Sequence, residues 1–312
     1  MRTAGSGFAG SERTGGTTCG AAILAMVALA GCVAPSAPPR TAMTAPAPPP
    51  AAPVTPPPAP LPGPVLTGER IQGGLIHGTA PAGTQIILDG KPVPTAPDGR
   101  FIIAFDRDAG PQATLIAILP DGRRQTETLA VAPRAWEIEE LPIPKGTSPS
   151  PEFLRIRGEE LRQIAAARAI GTDAAGWTQS FHWPITGRIS GLFGSQRVYR
   201  GEKGAYHSGT DVARPAGTPV AAPADGVVIL AADHPFTLEG NLLMVDHGMG
   251  LNSSFLHLSR IDVKPGDHVR QGQIIGAVGM TGRATGPHLH WSLKWRDARI
   301  DPLLLAGPMP AG

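Results

Sequence analysis

The alternation of apolar and polar positions divides this chain into stretches of different character. Residues 66–133 hold short β-prone runs at Leu75-Ile76, Gln85 to Leu88, Phe101 to Phe105, Thr114 to Leu119 and Gln125 to Val131. The turn dipeptides Asp89-Gly90, Asp98-Gly99 and Asp121-Gly122 punctuate them. That spacing predicts about five to seven strands in a small sandwich. From Glu152 to Ile170 the period changes. Apolar residues at Phe153, Ile156, Leu161, Ile164 and Ala165 predict an amphipathic helix with a weak point at Gly158. Residues 181–303 return to short β-prone runs with frequent Gly turns, which predicts a mainly β, mostly antiparallel fold. Within it, Leu289, Trp291 and Leu293 alternate with His288, His290 and Ser292. This predicts a strand with both imidazoles on one face, about 6.5–7 Å apart along it.

The start of the chain has a different logic. Ala21 to Ala30 is apolar and uncharged, and Arg2 and Arg13 precede it. Such a run is too short to span a bilayer but suits the apolar part of a signal peptide. It ends in Leu29-Ala30-Gly31-Cys32, which resembles the bacterial lipobox. The resemblance implies cleavage before Cys32, lipidation of that cysteine and loss of Cys19, so no disulfide is expected. Val33 after the cysteine favours an outer-membrane over an inner-membrane lipoprotein. From Val33 to Pro64, 14 of 32 residues are Pro, which forbids regular structure and predicts a disordered tether. The expected organisation is a signal peptide at 1–31, a tether at 32–65, a β domain at 66–135, a linker with the helix at 136–180, and a second β domain at 181–305.

Charge and composition narrow the function. With 27 Lys+Arg against 25 Asp+Glu, there is no electrostatic case for nucleic acid as a partner. Aromatic residues make up only 5 %, so the cores are expected to be aliphatic. After residue 31 there is no apolar run of about 18 residues, which excludes a polytopic membrane protein.

The candidate chemistry lies in the last 130 or so residues. His207-Ser208-Gly209-Thr210-Asp211 comes first, then His257-Leu258, then His288-Leu289-His290. Fully extended, His207 and Asp211 would stand about 13 Å apart, too far to share one ion. A shared ion therefore requires a bend, and Gly209 permits one. Spacing alone does not decide whether His288 and His290 bind one ion together.

The order HxGxD, HL, HxH is similar to that of the lysostaphin/LytM-type zinc endopeptidases, which cut peptides of peptidoglycan. The surrounding sequence agrees: Phe181 to Ile189, Leu192-Phe193-Gly194, Ala224-Asp225-Gly226, Val245-Asp246-His247-Gly248, Lys264-Pro265-Gly266-Asp267 and Thr285-Gly286-Pro287. The resemblance implies one zinc ion held by His207, Asp211 and His290, with His257 and His288 as a catalytic pair that does not bind the metal. Which of the two is the general base stays open. His247 falls at a structural position of the family, and Phe255 stands where the family often has Tyr. The N-terminal β domain weakly resembles bacterial Ig-like domains through Gly78 to Thr84 and Asp98 to Phe101. A tethered monomer in the cell envelope, facing the periplasm, is expected. The resemblance also admits a non-hydrolytic lipoprotein that activates a separate amidase or engages a divisome partner.

Overall fold

The computed structural model describes residues 59–146 and 148–310. The leader, Cys32 and the Pro-rich stretch up to residue 58 lie outside them. Seven strands come first: β1 (Val65–Thr67), β2 (Leu75–Thr79), β3 (Gln85–Leu88), β4 (Lys91–Val93), β5 (Arg100–Ala104), β6 (Gln112–Ile118) and β7 (Arg124–Ala130). They form two antiparallel sheets, ordered β1-β2-β5 and β4-β3-β6-β7. The alternation works as expected: in β6, Ala113, Leu115 and Ala117 are buried while Gln112 and Thr114 are exposed.

A further strand, β8 (Ile138–Leu141), and the helix α1 (Pro151–Arg168) follow. The helix begins where its chemistry dictates. Ser150 caps it by accepting from the Phe153 N–H at 3.1 Å, and Pro151 sits in the first turn, where no N–H is needed. Gly158 does not interrupt it. The face it buries differs from the expected one, since Leu161 and Ala165 are exposed and Glu160, Ile164 and Ala167 are buried. Glu160 can be buried because it is fully partnered. Its carboxylate accepts from the Thr237 N–H and hydroxyl at 2.5 and 2.7 Å and pairs with Arg157 at 2.9 Å. Ile164 and Ala167 seat against Ile229, Phe236, Leu242 and Met244. Among the described residues no helix is long and apolar enough to cross a membrane.

The remaining strands are β9 (Arg188–Gly191), β10 (Gln196–Tyr199), β11 (Glu202–Tyr206), β12 (Thr210–Ala213), β13 (Pro219–Ala221), β14 (Gly226–Ala231), β15 (Asn241–Asp246), β16 (Leu251–Leu258), β17 (Arg260–Ile261), β18 (His268–Val269), β19 (Ile274–Ala277), β20 (His288–Trp295) and β21 (Ala298–Ile300). A short helix, α2 (Pro302–Ala306), ends the fold. The main sheet runs β18-β14-β15-β16-β20-β12-β9, with β21 on the free part of β20. Every pairing in it is antiparallel. The protein is thus mainly β, as the patterning predicts. Strand β8 pairs parallel to β10, so the stretch between the two β regions contributes to the β11-β10-β8 sheet.

β20 is the strand that divides core from site. Leu289, Trp291 and Leu293 on one face are fully buried, and Trp295 nearly so. The opposite face carries His288, His290, Ser292 and Lys294. Their cross-strand neighbours are Asp211 opposite His290, then Leu256, Ser254 and Asn252 of β16 opposite His290, Ser292 and Lys294. The core behind β20 is continuous with that of the first seven strands, from Ile76 and Phe101 through Phe255 to Ile300.

Candidate metal and catalytic site

Three elements bring His207, Asp211 and His290 together. Asp211 and His290 are direct partners in the β12–β20 ladder, so their side chains leave the same face of the sheet. His207 lies outside the strand, before the bend at Gly209. The expected bend is present, but Gly209 is required for closeness rather than for an unusual dihedral. A Cβ there would lie 2.4 Å from the Trp291 carbonyl oxygen and 2.7 Å from His290 Nε2. Any larger residue would push His207 away from β20.

The donor atoms converge on one point. His207 Nε2 is 3.1 Å from Asp211 Oδ1 and 3.1 Å from His290 Nδ1, and His290 Nδ1 is 2.8 Å from Asp211 Oδ1. These separations approach about 3.3 Å, the edge of a tetrahedron with metal–ligand bonds of about 2.0 Å. The protonation pattern fits a cation as well. His207 Nδ1–H donates to the Leu192 carbonyl at 3.0 Å, which leaves the Nε2 lone pair facing the cluster. Two imidazole lone pairs and a carboxylate aimed at one point repel one another unless a cation sits among them. The group could therefore hold a metal ion. Where protons on His207 Nε2 and His290 Nδ1 take the place of a cation, burial by itself would raise the Asp211 carboxyl, but hydrogen bonds from these two rings outweigh it and hold it well below the usual carboxylate range. Burial lowers His290. His207 is raised, because the Asp211 carboxylate beside it overcomes its burial.

His257 and His288 form a second pair alongside. Their rings lie 4.8 Å apart, and His257 is 6.2 Å from the His290 ring. Each has its Nδ1–H committed to a backbone carbonyl, Thr281 for His257 and Gly286 for His288, both at 2.8 Å. Each therefore presents Nε2 to the site, and His288 Nε2 is 3.8 Å from Asp211 Oδ1. Burial lowers His257 to about 4, so it is neutral at pH 7.

His257 reaches this position by an irregularity in its strand. Phe255 faces the core opposite Trp291, and simple alternation would send His257 the same way. Instead the register shifts. Leu243 faces Phe255 but Asn241 faces Leu258, so β16 carries one extra residue. His257 has φ 64°, in the left-handed region that costs a non-glycine residue about 1–2 kcal/mol. The bulge turns its ring onto the site face.

The sequence pointed to all five of these side chains. It did not point to the carbonyls of Leu192, Thr281 and Gly286 that set their tautomers, since any residue can supply a carbonyl. The only trace is the turn chemistry around them, such as Gly194, Gly282 and Pro287. His77 is exposed on β2, far along the chain from this cluster. His247 is fully buried. It donates from Nδ1 to the Asp225 carbonyl and accepts at Nε2 from Ser253, both at 2.8 Å, and burial lowers it to about 4. Tyr206 does not face open groove. It packs on Phe193, donates to Asp106 at 3.1 Å and accepts from Arg299 at 3.0 Å.

Residues 205–302, which contain this cluster, match Peptidase family M23. A crystal structure from Pseudomonas aeruginosa assigned to peptidase M23 is 32% identical and covers 77% of this chain and 96% of its own, with a TM-score of 0.59. The chain belongs to peptidase family M23. Over 123 residues it is 44% identical to the peptidoglycan DD-endopeptidase ShyA of Vibrio cholerae serotype O1. Over 123 residues it is 39% identical to the DD-carboxypeptidase/endopeptidase Mpg of Neisseria meningitidis serogroup B. Each of these matches covers 39% of this chain but only 28% of the relative.

Proposed function

We propose that this protein is a zinc-dependent endopeptidase that hydrolyses peptide bonds in peptidoglycan cross-links or stems during cell-wall remodelling. The observation that carries the reading is the convergence of His207 Nε2, Asp211 Oδ1 and His290 Nδ1 within about one coordination sphere, beside two histidines that point Nε2 at the same place. Family membership and relatives that act on peptidoglycan support it. With three protein ligands, the donor set suits a catalytic rather than a closed structural site.

Zinc held by these ligands would supply Lewis acidity, lowering the pKa of a water to about 7 and polarising the scissile carbonyl. The chain supplies the rest. A neutral His257 or His288 takes a proton at Nε2, because its Nδ1–H is already held by a carbonyl. The other, once protonated, donates from Nε2 to the developing oxyanion and then to the leaving amine. Strand β12 and the loop before it hold Asp211 and His207 beside His290.

The location follows from the substrate. A peptidoglycan hydrolase works in the cell envelope, with Cys32 as the lipid-anchoring residue and the Pro-rich stretch as its tether. The intact set of five side chains supports hydrolysis over the role of amidase activator.

The test is digestion of purified sacculi by the soluble chain from residue 66, with and without a chelator, beside a His288→Ala control. Products are identified by mass. Metal-dependent release of peptides that disappears in the control is expected. A folded, zinc-loaded protein that leaves sacculi intact would overturn the reading.

A further inference from the structure

Helix α1 crosses the site face of the main sheet. Beside the seat of Ile164, it leaves a cleft of about 170 Å³ whose wall includes Arg168, Arg299, Ser208, Ser292 and His290. A wider hollow of about 550 Å³ shares Arg168 and adds Lys294 and Asn252. The cleft therefore begins at a candidate metal ligand and runs along β20 beneath the helix.

Its cations are not neutralised. Arg157, at the other end, is satisfied by Glu160 at 2.9 Å and by Glu239 at 2.6 Å. Arg168 differs. Among the described residues it has no carboxylate within ion-pair distance, and its Nε is buried without a hydrogen-bond partner. Lys294 likewise has no acidic partner there. Arg299 spends one nitrogen on the Tyr206 hydroxyl and lies 5.2 Å from that ring. The nearby acids are engaged elsewhere. Asp106 accepts from Tyr206 and the Arg299 N–H, and Asp297 pairs with Lys91. Burial and then repulsion by Arg299 lower Arg168 against the pull of Glu239, which lines the cleft but is held by Arg157; burial and then repulsion by Arg168 and Arg299 lower Lys294. A half-buried guanidinium without an anion is a standing cost. A carboxylate would offset it through two parallel charge-assisted hydrogen bonds.

We propose that Arg168, Lys294 and Arg299 form a carboxylate-binding subsite of the substrate groove, which holds a free carboxylate of the peptide being cut. The proposal rests on the peptidase reading. It makes α1 part of substrate recognition rather than a cover over the groove.

The experiment uses the full-length, zinc-loaded protein and two synthetic cross-linked peptides, one with free carboxylates and one fully amidated. Steady-state kcat and KM are measured for both. Charge-assisted bonds of ordinary strength predict about a 10- to 100-fold preference in kcat/KM for the carboxylate form, mostly in KM. Arg168→Gln and Lys294→Gln should each lose most of that preference, with the loss falling on KM for the carboxylate form. Two variants guard against one that misfolds, and unchanged melting temperatures certify both. Equal cleavage of the two peptides by the wild type, or a preference that survives both substitutions, overturns the subsite. If the wild type cleaves neither peptide nor sacculi, the peptidase reading fails. The subsite is then judged by titration calorimetry with the intact peptides, where equal affinity for acid and amide rejects it.

Discussion

The strands of residues 65–130 and those around β20 obey the same two-residue alternation, yet only one of these regions builds chemistry. In β6 the outward face carries the exposed Gln112 and Thr114, followed by the half-buried Ile116 and Ile118. In β20 the outward face is His288, His290, Ser292 and Lys294, and it is partly covered by α1 and by the loop before β12. Covering a polar face makes an unpartnered group on it costly. For the histidines the partners are one another, a carboxylate and backbone carbonyls, while Lys294 has no acidic partner and His290 Nε2 no hydrogen bond among the described residues. The same β scaffold is a support where its polar face is wet and a site where that face is half dry.

That contrast can be broken at its strongest point first. His207→Ala or His290→Ala removes a donor from the cluster. Hydrolysis should fall on the order of 10⁴-fold or more, with loss of bound metal by elemental analysis. Retained metal with full activity would mean that these side chains are not its ligands. His257→Ala should cost about 10²–10⁴-fold in kcat while zinc content stays unchanged. A variant that loses metal as well would place His257 among the ligands.

The next effects are structural. His247 is buried as the neutral form, with a folded pKa of about 4 against 6.5 when unfolded. The unfolded chain thus binds the extra proton between these values. This contribution is complete above about pH 6.5 and is lost as pH falls toward 4, by about 3 kcal/mol. Urea unfolding of wild type and His247→Gln across that range measures it. Parallel pH curves for the two proteins would dismiss it. Arg107 then tests the joint between the regions. Its guanidinium donates to the Gly194 carbonyl at 3.0 and 3.2 Å, in the loop whose Leu192 carbonyl orients His207. Arg107→Ala should destabilise by about 1–3 kcal/mol and loosen zinc, visible as a lower chelator midpoint. At the bottom of the scale, His77→Ala should stay within about 0.5 kcal/mol and leave hydrolysis unchanged. Any loss of activity there would give the first region chemistry of its own.

Much of this was legible in the residues. The strand runs, the helix near Glu152 and the five site side chains all rest on periodicity or on side-chain type, which a sequence displays directly. What stayed hidden rests on backbone and on distance. The parallel pairing of β8 with β10 uses N–H and C=O groups that every residue has. The bulge that turns His257 around has no side-chain signature, because Phe255-Leu256-His257 reads as ordinary alternation. The buried stripe of α1 includes Glu160, which no hydrophobic pattern would choose. Only Thr237 and Arg157, placed by tertiary structure, make that burial tolerable.

One detail of the joint bears on how such a chain can be assembled. Gly194 has φ +82°, and a Cβ there would meet the Trp136 ring at 2.2 Å, so the loop before the site is moulded against a residue upstream of α1. Arg107 clasps the same loop from further upstream still, and Arg134 pairs with Asp301 at 2.8 Å. A gene-level cut at the Pro-rich turn near residue 145 would strand these partners on separate polypeptides. A chain begun after such a cut would therefore leave the Gly194 loop and Asp301 without the groups that pack on and pair with them.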